Sequence, residues 1–414
     1  MIEDEEFSFI EEKFMESKKP RKEKVALMKK ATLCGICFGL SAGVAFSVVQ
    51  SVKTVAFKPH KTSERITLQV SEHPTTEPKA EKTEKNKNGK NQERNFGFDD
   101  MQKFYMQLDT LKEQCEKSIV GISDYSSESD KQQYNTQHQM TGTIIANTGT
   151  NFMILTNYNR LMSEKVIVHF FDGTYIEGKL YGKDTRTDLA IISVSLKKLD
   201  AKLKKQVKVV SFGDLNTLSV GSLVFALGGP NGEMHSVEYG YISGLKSKKS
   251  VEDYQLDVYT TSMGYHSDGN GIICDAHGQL LGVISRQDTS TENCTFYGID
   301  TLRQLVEGIL NKEKLSYVGI TAEEIPEKIL ANHSVRGGIY VTAVAENSPA
   351  YKAGILVGDV ISTVEGEEIT SVLGFYNCIQ KYEVGDKITV SILKNPFQNP
   401  TKKEKILKLK ARDE

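Results

Sequence analysis

Hydrophobic and polar positions alternate in distinct textures along this chain. From Ala31 to Val52 the run ATLCGICFGLSAGVAFSVVQSV carries no charge. Its 22 residues at about 1.5 Å each cover roughly 33 Å, enough for a helix to cross a bilayer core. From Ser71 to Asn95 the texture inverts, and Ala80 is the only apolar side chain. Such a stretch buries too little surface to offset its ordering entropy, which predicts a disordered linker. Met101, Phe104, Leu108, Leu111 and Cys115 then recur at helical spacing. After them come short β-branched runs parted by Gly, Asn and Asp: SIVGIS, TGTIIA, FMILTN, KVIVHFF, DLAIISV, SLVFALG, YGYISGL and IICDAHGQLLGVIS. Many short strands with frequent turn residues predict an antiparallel barrel or sandwich, not a βαβ fold. From Tyr317 onward, strands such as GIYVTAVA, DVISTVEG and KITVSILK mix with two short helical stretches. That block has the size of one small α+β domain.

Length and charge narrow the picture. At 414 residues the chain exceeds one ordinary domain. A net charge of −2 gives no global field for nucleic acid. The lysine- and arginine-rich segment KKPRKEKVALMKK (18–30) precedes the apolar run. By the positive-inside tendency the N-terminus is cytoplasmic, and the rest is extracytoplasmic behind a single-pass anchor in the cell membrane. A cleaved signal peptide is the alternative, but it carries a shorter leader and a shorter apolar core. Gly35, Gly39 and Gly43 repeat every four residues, a spacing found on helix-dimer faces and also common in membrane helices generally. Six cysteines form neither a zinc spacing nor a disulfide scaffold. Buried free thiols are expected at Cys274 and Cys294, with a bridge between them as the alternative. No metal or organic cofactor is implied.

At this point several motifs resemble one family in the right order. TGTIIANTGTNFMILTNYN (141–159) is similar to the glycine-led strand pair of HtrA/DegP-type proteins that ends on the T-N-x-H of the catalytic histidine. DGTYIEGKLYGKDTRTDLAII (172–192) resembles the segment ending on the aspartate of T-D-L-A, and FGDLNTLSVGSLVFALGGPNG (212–232) the strand pair after it. VYTTSMGYHSDGNGIICDAHGQLLGVIS falls on the segment that carries G-N-S-G-G-P. YVGI, SPAYKAGILVGDVISTVEGEEIT and VGDKITVSILKN resemble a PDZ domain. The resemblance covers about seventy percent of the chain. It implies a mostly β protein: a trypsin-like double β-barrel followed by an α+β PDZ domain, preceded by one transmembrane helix and a disordered linker. The expected division is 1–30 cytoplasmic, 31–52 transmembrane, 53–97 linker, 98–314 protease-fold domain and 315–410 PDZ domain.

Carried over residue by residue, the resemblance implies a degenerate catalytic triad. Asp188 stands at the aspartate position, Asn159 at the histidine position and Gly269 at the serine position. A side-chain amide cannot accept a proton near neutral pH, and glycine has no oxygen to attack with. Ser267, Asn270 and Ile272 replace the glycine, glycine and proline of the oxyanion turn, and Gly271 alone is unchanged. The preferred reading is a pseudoprotease that binds C-terminal or unfolded peptide segments as a scaffold, chaperone-like holder or regulator. The alternative is an active serine endopeptidase in protein quality control, using Ser267 as a displaced nucleophile with a base from His169, His235 or His277. In the PDZ domain the resemblance assigns Tyr317, Val318, Gly319 and Ile320 to the carboxylate-binding loop. Tyr376, on the helix TSVLGFYNCIQ, is expected near the groove, while Val372, Phe375 and Ile379 face the core. A PDZ domain docked on the barrel and closed to ligands is the other outcome. A homo-trimer, or a hetero-trimer with active relatives, is implied by the family's assembly.

Overall fold

In this computed structural model the described residues are 65–69, 97–124, 140–285, 292–332, 335 and 337–412. The segment 1–30 expected to be cytoplasmic and the apolar run 31–52 lie outside them, as does most of the expected linker. Among the described residues no helix is long and apolar enough to cross a membrane.

Helix α1 (Phe98–Glu116) leads into two closed barrels. The first holds β1 (Ile119–Asp124), β2 (Met140–Asn147), β3 (Asn151–Asn157), β4 (Lys165–His169), β5 (Tyr175–Asp184) and β6 (Leu189–Ser195), hydrogen-bonded in the order β1-β2-β3-β6-β5-β4. The second holds β7 (Leu223–Gly229), β8 (Ser236–Val251), β9 (Tyr254–Gly264), β10 (Asn270–Asp275), β11 (Leu280–Ile284) and β12 (Asn293–Gly298), in the order β10-β11-β12-β9-β8-β7. A short helix α2 (Ala201–Gln206), capped by the Asp200 side chain, lies between them in the chain. Each barrel is filled by the apolar runs visible in the sequence. Val120, Ile144, Ile154, Val166 and Ile192 are fully buried in the first, and Val224, Leu256, Ile273, Leu280 and Phe296 in the second. Gly142 of β2 sits where a Cβ would come within 2.5 Å of Ile154 and 2.7 Å of Ile122, so the first barrel closes only around a bare backbone there.

Helix α3 (Ile299–Leu310) follows the second barrel and buries Ile299, Leu302, Leu305, Val306 and Leu310, a stripe at helical period. Part of the linker expected to be disordered is held on this helix. The Asn311 side chain accepts from the Ile66 N–H and donates to its carbonyl, both at 3.0 Å. Glu307 accepts from the Leu68 N–H at 2.8 Å, and Leu68 itself is buried. Paired backbone groups and one buried leucine offset the ordering cost that composition alone predicts will win. Helix α1 spans the segment whose apolar spacing predicts it. Its C-terminal half packs through Leu108 and Cys115, whereas Met101 and Phe104 stay exposed.

The C-terminal domain is a sheet of β14 (Ile320–Glu324), β15 (Ile339–Val344), β16 (Val360–Val364), β18 (Lys387–Lys394) and β19 (Thr401–Lys408), with β17 (Glu367–Glu368) beside β16. A two-stranded ladder of β13 (Ser316–Tyr317) and β20 (Lys410–Ala411) closes its ends. Its helices are α4 (Glu327–Asn332), α5 (Pro349–Ala353) and α6 (Val372–Ile379). Ser348 and Ser371 cap α5 and α6 by accepting from the N–H three residues on, and Gly354 ends α5 in the left-handed region. Val372, Phe375 and Ile379 of α6 lie in the core of this domain.

The two folded parts meet along the turn between β8 and β9. Tyr254 of β9 packs edge-on against Tyr376 of α6, ring centroids 4.6 Å apart, and Gln304 of α3 donates to Asn377 at 3.0 Å. Asp253, at the tip, is buried against the start of β14 beside Arg412, Arg186, Glu252, Tyr254 and Tyr317. Burial pushes its carboxyl up to about 6, against the pull of three backbone amides and Arg186 toward the ionised form.

Two outcomes follow from these contacts. Gly142→Ala forces methyl carbon into a filled barrel and is expected to lower stability by about 1–3 kcal/mol in urea unfolding. Asp253 has the higher pKa in the folded state, since in the unfolded chain it titrates near 4. Its contribution is therefore complete below about pH 4 and is lost as pH rises through 6. The stability of the natural protein minus that of Asp253→Asn is expected to fall between pH 4 and 6 and level off above. A difference that grows with pH across that window would show that burial is not the dominant cause.

Candidate functional site

The barrels face each other where the end of β3 approaches the turn before β10. The chain leaves β3 at Asn157 and passes Tyr158, Asn159 and Arg160. Asp188, 3% exposed and left-handed at φ 59°, precedes β6. Its carboxylate accepts from the Asn159 backbone N–H at 2.6 Å and from the Asn157 side-chain amide at 3.3 Å. Its carbonyl accepts from the Tyr158 N–H at 2.9 Å. The structure thus brings Asp188 and Asn159 together, through the backbone of Asn159. The Asn159 residue itself is exposed. Asp188 acts here as an anchor for the 157–159 turn.

Across the cleft, residues 266–269 form a tight turn in which the Gly269 N–H donates to the His266 carbonyl at 2.9 Å. That amide is therefore spent within the turn. A Cβ at Gly269 would stand 2.4 Å from the Pro230 carbonyl oxygen and 2.9 Å from that of His266. Both neighbours are backbone, which cannot swing aside as a side-chain end can. Ser267, on the same turn, is exposed, and its neighbour His266 lies 3.4 Å from the Glu238 carboxylate.

Two side chains bridge the barrels at this place. Arg160 donates to the Asp268 carbonyl at 2.7 Å and reaches its carboxylate at 3.1 Å. Asn270, 1% exposed, accepts from the Thr141 N–H of β2 at 2.7 Å and donates to the Asp268 carbonyl at 3.1 Å. A glycine at 270 could not make this link. Sequence reasoning missed both bridges, although an Asn at a glycine position was their visible trace.

Of the histidines considered as substitute bases, His235 is exposed in the segment between β7 and β8, and the other two have partners of their own. His277 lies beside Asp275, 3.6 Å between Nδ1 and Oδ2, and is exposed. His169 of β4 has its Nε2 2.9 Å from the Ser123 hydroxyl of β1, within the first barrel, and burial holds its imidazole below the usual range, with His235 adding to the effect. Cys274 and Cys294 are both buried free thiols. The thiol hydrogen-bonded to Cys274 is that of Cys115 on α1, whose own pKa is lowered by this bond.

The four residues assigned to the peptide-carboxylate loop are together and already engaged. The N–H groups of Val318, Gly319 and Ile320 all donate to the Asp253 carboxylate, at 2.9 Å for Val318, 2.9 and 3.0 Å for Gly319, and 2.9 Å for Ile320. Tyr317 donates its hydroxyl to Glu252 at 2.6 Å. Gly319 has φ +84°, and a Cβ there would meet that of Ser348 at 2.3 Å, so the loop requires glycine. Tyr376 departs from expectation. Its ring is buried in the barrel's core cluster against Tyr254, not presented to a peptide, because the hairpin fills that wall of the groove. Asp253 is the residue that no motif flagged.

Comparison with known proteins agrees with this architecture. A trypsin-like peptidase domain model matches residues 140–283, and a PDZ domain model matches residues 316–406. The chain is 29% identical over 316 residues to the serine protease Do-like HtrB of Bacillus subtilis, covering 69% of this chain and 67% of that one. It is 27% identical over 299 residues to the serine protease Do-like HtrA of Lactobacillus helveticus, covering 67% and 71%. Among solved structures, the HtrA-type protease AlgW with a tripeptide superposes with a TM-score of 0.53 at 19% identity, over 74% of this chain and 97% of that one, a likeness of fold. A trypsin-like double barrel followed by a PDZ domain, with these relatives along two thirds of its length, makes the chain similar to HtrA/DegP-type proteins in domain order and in sequence.

Proposed function

We propose that this protein is a membrane-anchored, extracytoplasmic HtrA-type pseudoprotease that binds C-terminal or unfolded peptide segments through its PDZ domain. The observation that carries the loss of proteolysis is the turn at Gly269. Acyl transfer needs an attacking oxygen, a proton acceptor and donors aimed at the developing oxyanion. At this corner Gly269 offers no oxygen, its amide closes a turn, and Asn159 offers an amide in place of an imidazole. The Asn270 and Arg160 bridges hold the turn in that shape. Peptide binding is supported by the loop at 317–320, whose amides converge on one carboxylate. It is also supported by HtrA-type structures that contain a tripeptide and a decapeptide. The anchor rests on the uncharged run 31–52 and the basic segment before it. Assembly into a trimer, alone or with active relatives, remains part of the reading by analogy with the family.

A second reading, an active endopeptidase with a displaced nucleophile, has one observation in its favour: the Ser123–His169 pair. Ser267, the candidate taken from the sequence, sits beside an imidazole already facing Glu238.

The full chain is expected not to turn over unfolded casein. Asn159→His/Gly269→Ser is expected to restore nothing and to cost about 1–3 kcal/mol, because the new Cβ meets the Pro230 carbonyl. Casein cleavage by the natural chain refutes the pseudoprotease reading, and cleavage by the double variant alone refutes the crowding argument at Gly269. A fluorophosphonate probe is expected to leave the chain unlabelled. Labelling that disappears on Ser267→Ala or Ser123→Ala would identify the nucleophile and establish the second reading.

A further inference from the structure

A PDZ domain holds a C-terminal peptide by two kinds of contact. Loop amides take the carboxylate, and the peptide backbone pairs with the adjoining strand. The β8–β9 turn supplies a version of both. The Asp253 carboxylate accepts all three amides of Val318, Gly319 and Ile320, and the Asp253 N–H donates to the Ile320 carbonyl at 2.6 Å. Tyr254 then covers Tyr376 on the facing helix. Left-handed φ at Asp253, 55°, turns the chain away at once, so only the tip enters. Convergence of three consecutive amides on one carboxylate is what separates this contact from an ordinary interdomain ion pair.

We infer that the Glu252–Asp253 turn is a tethered internal ligand of the PDZ carboxylate loop, which an incoming C-terminal carboxylate must displace. The closure stands on the geometry alone, while the displacement rests on the peptide-binding reading above. Further contacts fix the tip in place. Arg186 donates to the Glu252 carbonyl at 2.7 Å, and Arg412 reaches that carbonyl at 3.3 Å and the Asp253 carboxylate at 3.1 Å.

Other features weaken the closure. The Arg412 Nε and Nη1 atoms and the Tyr376 hydroxyl are buried without hydrogen-bond partners among the described residues. A cavity of about 530 Å³, lined in part by Lys183, Arg186, Lys312, Tyr317 and Arg412, opens beside the tip. Unmet donors and incomplete packing each subtract from the docked state. The contact is therefore specific in its donors and modest in its packing, as a displaceable occupant requires.

The test compares the full chain with Asp253→Ala and Asp253→Asn. Amide hydrogen exchange is followed over 316–322, and affinity is measured by fluorescence polarisation for a library of peptides ending in apolar residues, with free or amidated C-termini. Removing the internal carboxylate is expected to speed exchange at 318–320 and to tighten free-carboxylate peptides about 10- to 100-fold, as release of a mostly closed state does. Asp253→Asn should fall between, and amidated peptides should gain nothing. Should Asp253→Ala fail to fold, Asp253→Asn decides alone. Exchange and affinity unchanged in both variants overturn the inference, as does faster exchange with peptides that bind equally well throughout. Faster exchange with no peptide bound by any variant upholds the closure and refutes the peptide-binding reading instead.

Discussion

A carboxylate removed from water must be met by donors, and Asp253 finds them in the backbone of another domain. Three consecutive amides and a guanidinium converge on it. The amides belong to a loop whose shape depends on Gly319, since any side chain there collides with Ser348. The tip belongs to a hairpin whose next residue, Tyr254, is part of the second barrel's core. Barrel packing, the glycine loop and the relation between domains thus meet at one side chain. A residue at 253 without a side-chain acceptor would leave the amides of that loop searching for partners.

The cleft between the barrels follows a related logic. Where the ends of the two barrels meet, side chains tie one to the other. Asn270 satisfies the buried Thr141 amide, and Arg160 holds the Asp268 carbonyl. Asp188 anchors the backbone of the residue that would otherwise be its imidazole partner.

The double barrel and the small α+β domain were legible because their strands are short, mostly apolar runs that end up almost continuously buried in the barrels, parted by turns that carry Gly, Asn and Asp. Helix α3 was not singled out, although its stripe of Ile299, Leu302, Leu305, Val306 and Leu310 is plain once the strand before it ends. Motif order pointed to Asn159, Asp188 and Gly269, and the structure brings Asp188 and the Asn159 backbone together. What the sequence withheld are contacts between residues far apart in the chain. Asp253 lies 65 residues from Val318, and in the sequence it reads as an ordinary turn aspartate. Tyr376 carried the same ambiguity. Its helix face was clear, but its occupant came from β9. The strap at Ile66 and Leu68 was hidden in a polar linker because two backbone-paired residues leave no periodicity.

The crowding around Gly269 has an evolutionary corollary. A lone mutation to serine would arrive in a space bounded by two carbonyl oxygens, so it would be selected against for folding before its chemistry could matter. Any side chain at 269 would require the backbone at Pro230 or the 266–269 turn to move first.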